Sequence, residues 1–285
     1  MAATLPFEAT AVPARQAPKH AVRAIRTLTQ RRLVLSLRSP RSVVVPLVAP
    51  VLFAVLIAPA LAGTIAPGPG RTAYMTFVAL ATAGLLIPLN CLFAGLGVIV
   101  DRQHGAMREL LVAPIHRSSI VLGNLVAAVV LTTVQVVVLI ALSAARGADY
   151  VIGLRTIWFF PAAIVFAVLM YGLAEILTVR VPAEVDYVGA VPALAIVPFF
   201  FAGSLFPISA LPAWLAAIAK VLPVTHAIAL FRYALTRHSG ATALANIWGL
   251  HSVAGMAVLS MGVLVLYAVA SVSAAIRLFN KAGTS

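Results

Sequence analysis

A single cysteine, Cys91, in 285 residues leaves no partner for a disulfide and no thiolate set for a metal. Acidic residues are also scarce, seven against 20 lysines and arginines, and charged side chains of all kinds make up only 9% of the chain. That is too little polar surface to cover a water-facing sphere, and it excludes an ordinary soluble globular domain. Phosphate-loop, zinc-helix and nucleophile-turn motifs are absent, so no catalytic residue is assigned. The six histidines never fall three or four residues apart, and no metal site is expected.

What is present is hydrophobic: 62% of the residues, with a mean hydropathy of +1.08. Apolar runs of about 20 residues each are long enough to cross a hydrocarbon core of about 30 Å. The expected fold is an all-α polytopic membrane protein with six spans, over 43–63, 74–100, 119–145, 157–179, 188–205 and 252–276. The net charge of +13 crowds toward the N-terminus, at Arg15, Arg23, Arg26, Arg31, Arg32, Arg38 and Arg41. No aromatics interleave these arginines as a base-stacking platform requires, so nucleic acid is not the expected partner. Positive charge beside a first span instead holds that flank in the cytoplasm, and six spans return the C-terminus to the same side.

Residues 1–17 read as a flexible cytoplasmic tail. Over 18–42, Val22, Ile25, Leu28 and Leu33 recur at near-helical spacing among arginines. This suits a helix on the membrane surface, its arginine stems snorkelling toward lipid headgroups. Arg26 and Arg32 interrupt its apolar side, and a solvated basic linker is the other reading. The stretch 206–250 is too apolar for an external loop and too broken, by Pro207, Pro212 and Pro223, for one straight span. Two re-entrant half-helices satisfy both facts, with a seventh span as the alternative.

Two features could carry function. Glu175 is an acid inside a span, expensive to bury, with Arg180 little more than one turn further on to pair with it at the interface. The pairing, an acid snorkelling to the interface, and a proton relay are the readings. Between the second and third spans, DRQHGAMRELLVAPIHR interrupts the oil with charge. Met107, Leu110 and Leu111 form an apolar stripe at helical spacing, charges lie elsewhere, and Pro114 ends the run. It is either a short cytoplasmic helix that takes up a partner's motion or a solvated connector.

This stretch resembles the ABC-2 type export permeases, in particular the branch with daunorubicin-resistance and nodulation-factor exporters. It carries an acidic/basic pair, Gly105, Leu110 and Leu111, Pro114, Arg117 and then Leu122 and Gly123, with Asn124 where many members have Lys. The segment FFFAGSLFPISALPAWLAAIAKVLPVTHAIALFRYAL is similar to a second family pattern. The resemblance implies an N-terminal interfacial helix ahead of a transmembrane domain over 43–285, with half-helices before the sixth span. It also implies a coupling helix, within the region 101–118, docked on a separate ATP-binding subunit. On that pattern Arg102, Arg108, Glu109 and His116 are the docking candidates, and Asp101, Gly105, Met107, Leu110, Pro114 and Arg117 complete the element. Phe206, Pro207, Pro212, Trp214, Pro223 and His226 would shape an outer gate.

The implied protein is a bacterial plasma-membrane subunit that binds no cofactor itself, ATP and Mg being held by the ATPase. Its other partners would be membrane lipids, a small-molecule or lipid substrate, and a second permease chain, identical or related. The implied function is export of a drug-like molecule or envelope lipid. A lipid-linked glycan is an alternative cargo, and a proton-coupled carrier or membrane-embedded enzyme an alternative class.

Overall fold

The computed structural model describes residues 17–66, 68, 70–113, 115–181, 183–237 and 239–282, with the side chains of 17–20, 40–42 and 282 excepted. The tail residues 1–16 and Pro114 lie outside the described residues. All regular structure among the described residues is helical, and six helices are long and apolar enough to cross a membrane.

Helix α1 (Ala17–Arg38) precedes the first span, which is built from α2 (Pro40–Leu52), a π-helical turn at Phe53–Ile57 and α3 (Ala58–Ile65). Proline dictates that break: Pro59 has no N–H to give the carbonyl four residues back, and the widened turn directly precedes it. The second span, α4 (Gly70–Gln103), is 34 residues and therefore about 50 Å long. It is the central pillar, with 72% of its most apolar stretch buried against other helices. After the short α5 (Ala106–Val112) come the third span α6 (Arg117–Ala145), the fourth, α7 (Phe159–Arg180), and the fifth, α8 (Glu184–Phe201). The sixth is α12 (Val253–Ala282).

Lipid tails are as apolar as leucine, so spans attract each other through close packing of small residues and hydrogen bonds. Gly172 of α7 and Ser271 of α12 show this. A Cβ at Gly172 would stand 2.5 Å from the Ser271 Oγ and 2.9 Å from its carbonyl carbon. The Ser271 hydroxyl meanwhile donates to the Leu169 carbonyl at 3.2 Å. Gly172→Val should therefore drive the pair apart, at a cost of about 1 to 3 kcal/mol. The purified variant should melt at a lower temperature, whereas Gly189→Val, which meets nothing within 4 Å, should not.

Between the fifth and sixth spans the chain makes a hairpin. Helix α9 (Ala213–Val221) and α10 (Pro223–Leu235) meet at Leu222 with a bend of 80°. The apex lies level with the middle of the spans, on the outside of the bundle at Val221, which is 63% exposed: Tyr267, at the middle of α12, donates to the Val221 carbonyl, and Val224 and Ile228 press on Gly84, near the middle of α4. At its far end α10 returns to the connector after α6, where the Val151 N–H donates to the Leu235 carbonyl at 2.9 Å. Tyr150 in the same connector shares a 2.6 Å hydrogen bond with Ser143. Burial pushes its phenol up to about 12, so it stays neutral. Helix α10 is almost wholly buried, its polar residues Thr225, His226, Arg232 and Tyr233 included. Helix α11 (Ser239–Trp248) packs beside it before α12 begins.

Candidate functional site

Two polar centres stand at opposite ends of α4, about 36 Å apart from Phe77 to Asp101. One is the corner between α4 and α5. Gly105 sits there with φ of +79°, a left-handed conformation that costs glycine little and lets the chain reverse into α5. Met107 and Leu110, one turn apart, point inward. Met107 is 6% exposed and belongs to a cluster drawn from Leu28 of α1, Val98 of α4, Ile120 and Val121 of α6, and Phe279 of α12. Arg108, Glu109, Leu111 and Val112 form the outward face, Val112 being 86% exposed. The apolar stripe expected over Met107, Leu110 and Leu111 is thus narrower than the sequence suggested. Leu111 and Val112 stand in the open, flanked by a cation and an anion.

The other expected members of this region do different things. Asp101 is buried and serves as an anchor for α1: Arg31 holds it with two hydrogen bonds, at 3.1 and 3.2 Å, and Arg32 with one at 3.3 Å. The Arg32 side chain, 12% exposed, lies on the same face of α1 as Ile25 and Leu28. A Cβ at Gly97 would collide with its guanidinium, so glycine there makes room for it. Arg102 donates to the Thr178 carbonyl of α7, and Arg117 to the Asn280 carbonyl of α12. His116 is exposed at the start of α6. Through these contacts the α4–α5 corner is tied to α1, α6, α7 and α12.

Glu175 is buried nearby, and here the structure corrects the sequence reading. Arg180 does not pair with it. Five residues along a helix turn the side chain by about 140° away, and Arg180 is exposed. Instead one carboxylate oxygen accepts a 2.6 Å hydrogen bond from the Tyr171 hydroxyl. Among the described residues the other oxygen has no partner, and neither has Arg32 Nη2.

The second centre is the hairpin. Phe206, Pro207, Pro212 and Trp214 are exposed, Trp214 to 68%, while Pro223 and His226 turn into the bundle. The expected gate set is therefore divided between two surfaces. His226 Nε2 faces the Lys220 carbonyl at 3.0 Å, an acceptor only, so that nitrogen carries the proton. Nδ1 then accepts from Ser260 of α12, whose oxygen in turn accepts from Trp248 Nε1. Arg232, a part of the family-like segment left out of the expected site, is the deeper anchor. It is 3% exposed and donates to the carbonyls of Phe77, Gly203 and Ser204, with its guanidinium carbon 3.3 Å from the centre of the Phe77 ring. No carboxylate faces it among the described residues.

Residues 23–236 match the model of the ABC-2 type transporter family, three quarters of the chain. The chain belongs to the ABC-2 type transporter family. Its relatives agree: a protein of Porphyra purpurea named as a candidate transport permease, ycf38, is 26% identical over 220 residues, 74% of each chain. Its counterpart in Pyropia yezoensis is 26% identical over 223 residues, again 74% of each. This ABC-2 protein is accordingly a multi-pass membrane transport permease. Membership of an ABC transporter implies an ATPase partner, and the match spans both centres, the α4–α5 corner and the hairpin.

Proposed function

We propose that this permease forms part of the membrane path of an ATP-driven exporter and that α5 is its coupling helix. One observation carries the reading: α5 presents Arg108, Glu109, Leu111 and Val112 outward while Met107 beneath them joins an apolar cluster drawn from four other helices. A push on the outward face is felt by α1, α4, α6 and α12 at once. Leu111 and Val112 offer apolar contact, and Arg108 and Glu109 offer opposite charges that fix register. ATP and Mg are bound by the partner ATPase, whose different affinity for ATP in its open and closed states biases the permease between inward and outward forms.

In this reading the α5 corner and both termini are cytoplasmic, as the basic N-terminal flank favours, and the hairpin enters from outside. A bacterial plasma membrane is its setting. The cargo is hydrophobic or amphipathic, a drug-like molecule or an envelope lipid. A second permease chain, identical or related, completes the path. The first and fifth spans have the largest free faces, with only 22% of their apolar stretches buried, and are available for it.

The double charge reversal Arg108→Glu with Glu109→Arg tests the assignment. Both residues are exposed, so the chain should remain monodisperse, while co-purification with the cognate ATPase falls and cargo-stimulated ATP hydrolysis is lost. Undiminished co-purification and hydrolysis would overturn the coupling role of α5.

A further inference from the structure

Between α1, α2, α4 and α6 lies a cavity of about 380 Å³ that the coupling role does not use. It runs along α4 from Asp101 to Asn90, eleven residues and therefore about 16 Å, from the α5 end of the bundle to its middle. Most of its wall is apolar, with Leu35, Phe93, Ala94 and Leu131 among the lining residues. At its rim Leu35 of α1 is exposed, so the cavity lies beside the surface that faces lipid.

Its polar groups are incompletely used. Asn124 lines the cavity, is 5% exposed and makes no hydrogen bond within the described residues, so its amide is open to an occupant. Arg32 lines it too; its Nη2 has no partner among the described residues but is packed over Gly97, so what Arg32 offers the cavity is its charge. Around Asp101, Arg31 and Arg32 place two positive charges on one carboxylate, leaving an excess of one. Asn90 donates to Gln135, and Gln135 donates to the Val43 carbonyl, so the inner end is already braced.

An anionic group with hydrogen-bond acceptors, followed by an apolar body, matches these features. We propose that the cavity is a binding site for one phospholipid, its phosphate held by Arg32 and Asn124 and the first part of its acyl chain laid along Phe93 and Leu131. A free phosphate would satisfy the same polar groups but would leave the apolar wall empty. The bound lipid braces α1 against α2, α4 and α6, and so supports the helix that Asp101 anchors. The site rests on the membrane setting of the chain and is independent of transport direction and of α5 docking.

Native mass spectrometry of the purified full chain, without the ATPase, tests this. Dioleoyl phosphatidylglycerol should be retained at one copy per chain, and dioleoylglycerol, with the same tails and no phosphate, should not. Asn124→Leu should weaken retention at least about tenfold, the loss of about 1.4 kcal/mol of binding. Ala94→Leu, which narrows the cavity beside Phe93 and leaves the Asp101 ion pairs intact, should weaken it likewise, giving a second variant should the first fold poorly. Equal retention of the phospholipid by both variants overturns the site. Equal retention of dioleoylglycerol overturns the phosphate role, and displacement by millimolar inorganic phosphate overturns the lipid in favour of a free anion.

Discussion

Arg232→Met should lower the stability of the permease by about 3 kcal/mol or more, one of the two largest effects expected of a single substitution. The side chain is buried, so methionine can fill most of its volume, and the loss is of donors and not of packing. Those donors serve carbonyls on two separate pieces of chain. Phe77 is on α4, whereas Gly203 and Ser204 lie in the turn that follows α8. The Phe77 carbonyl can still accept within its own helix. Gly203 and Ser204 are outside any helix, Gly203 with φ of +74°, and their carbonyls lose their charged donor inside the protein. Without Arg232 the turn loses its tie to α10 and α4, which still pack at Gly84.

The readout should be local as well as global. Amide hydrogen exchange should rise at 202–208 and along α10, ahead of α7 and α12. Arg232→Lys keeps the charge and tells charge from geometry. One ammonium cannot replace a planar fork that reaches three carbonyls and lies over Phe77, so the lysine variant should melt between the unaltered chain and Arg232→Met. A melting midpoint unchanged by Arg232→Met would show that the turn does not depend on this residue.

How much of this was legible in the sequence follows from the range of each interaction. Six apolar runs could be read because a hydrocarbon core imposes a minimum length on each crossing, a rule local to the run. Pro207, Pro212 and Pro223 signalled a broken segment for the same reason, since proline acts on its own turn. The depth of the hairpin could not be read, because it is set by Tyr267, 46 residues from Val221. Arg32 was visible as an anomaly, a charge on an apolar stripe. Its explanation, Asp101, is 69 residues away and has no local signature. Glu175 misled in the opposite way. A nearby Arg180 invited a pairing that helix geometry forbids, while its hydrogen-bond donor, Tyr171, lay one turn behind on the same face. The α4–α5 corner was legible as an amphipathic insert, but the resemblance and not the physics gave it a partner. Its hub, Met107 with Leu28 and Phe279, joins the two ends of the chain and is seen only in the fold.

Asp101→Asn should loosen α1 on the bundle, although its packing along α6 and the Thr29–Gly123 hydrogen bond remain. Asp101 is the acceptor for both Arg31 and Arg32, and the two arginines differ in what they lose. Arg31 has a side chain one third exposed and can turn to water. Arg32 is 12% exposed, wedged over Gly97, and would be left as a buried cation facing a neutral amide. Breaking one side of a buried pair costs about 3 to 5 kcal/mol, and every 1.4 kcal/mol is about tenfold in an equilibrium, so exchange at α1 amides should speed up by about 100-fold or more. Arg31→Gln should do far less, because Arg32 keeps its carboxylate. The functional consequence rests on where Asp101 sits, four residues before the Gly105 turn. If α1 and the α4–α5 corner move as one piece, the variant still binds the ATPase through Arg108 and Glu109 but hydrolyses ATP without moving cargo. Exchange in α1 equal to that of the unaltered chain would sink the anchoring role. Loss of ATPase binding itself would instead place Asp101 in the docking surface, where the family pattern alone had put it.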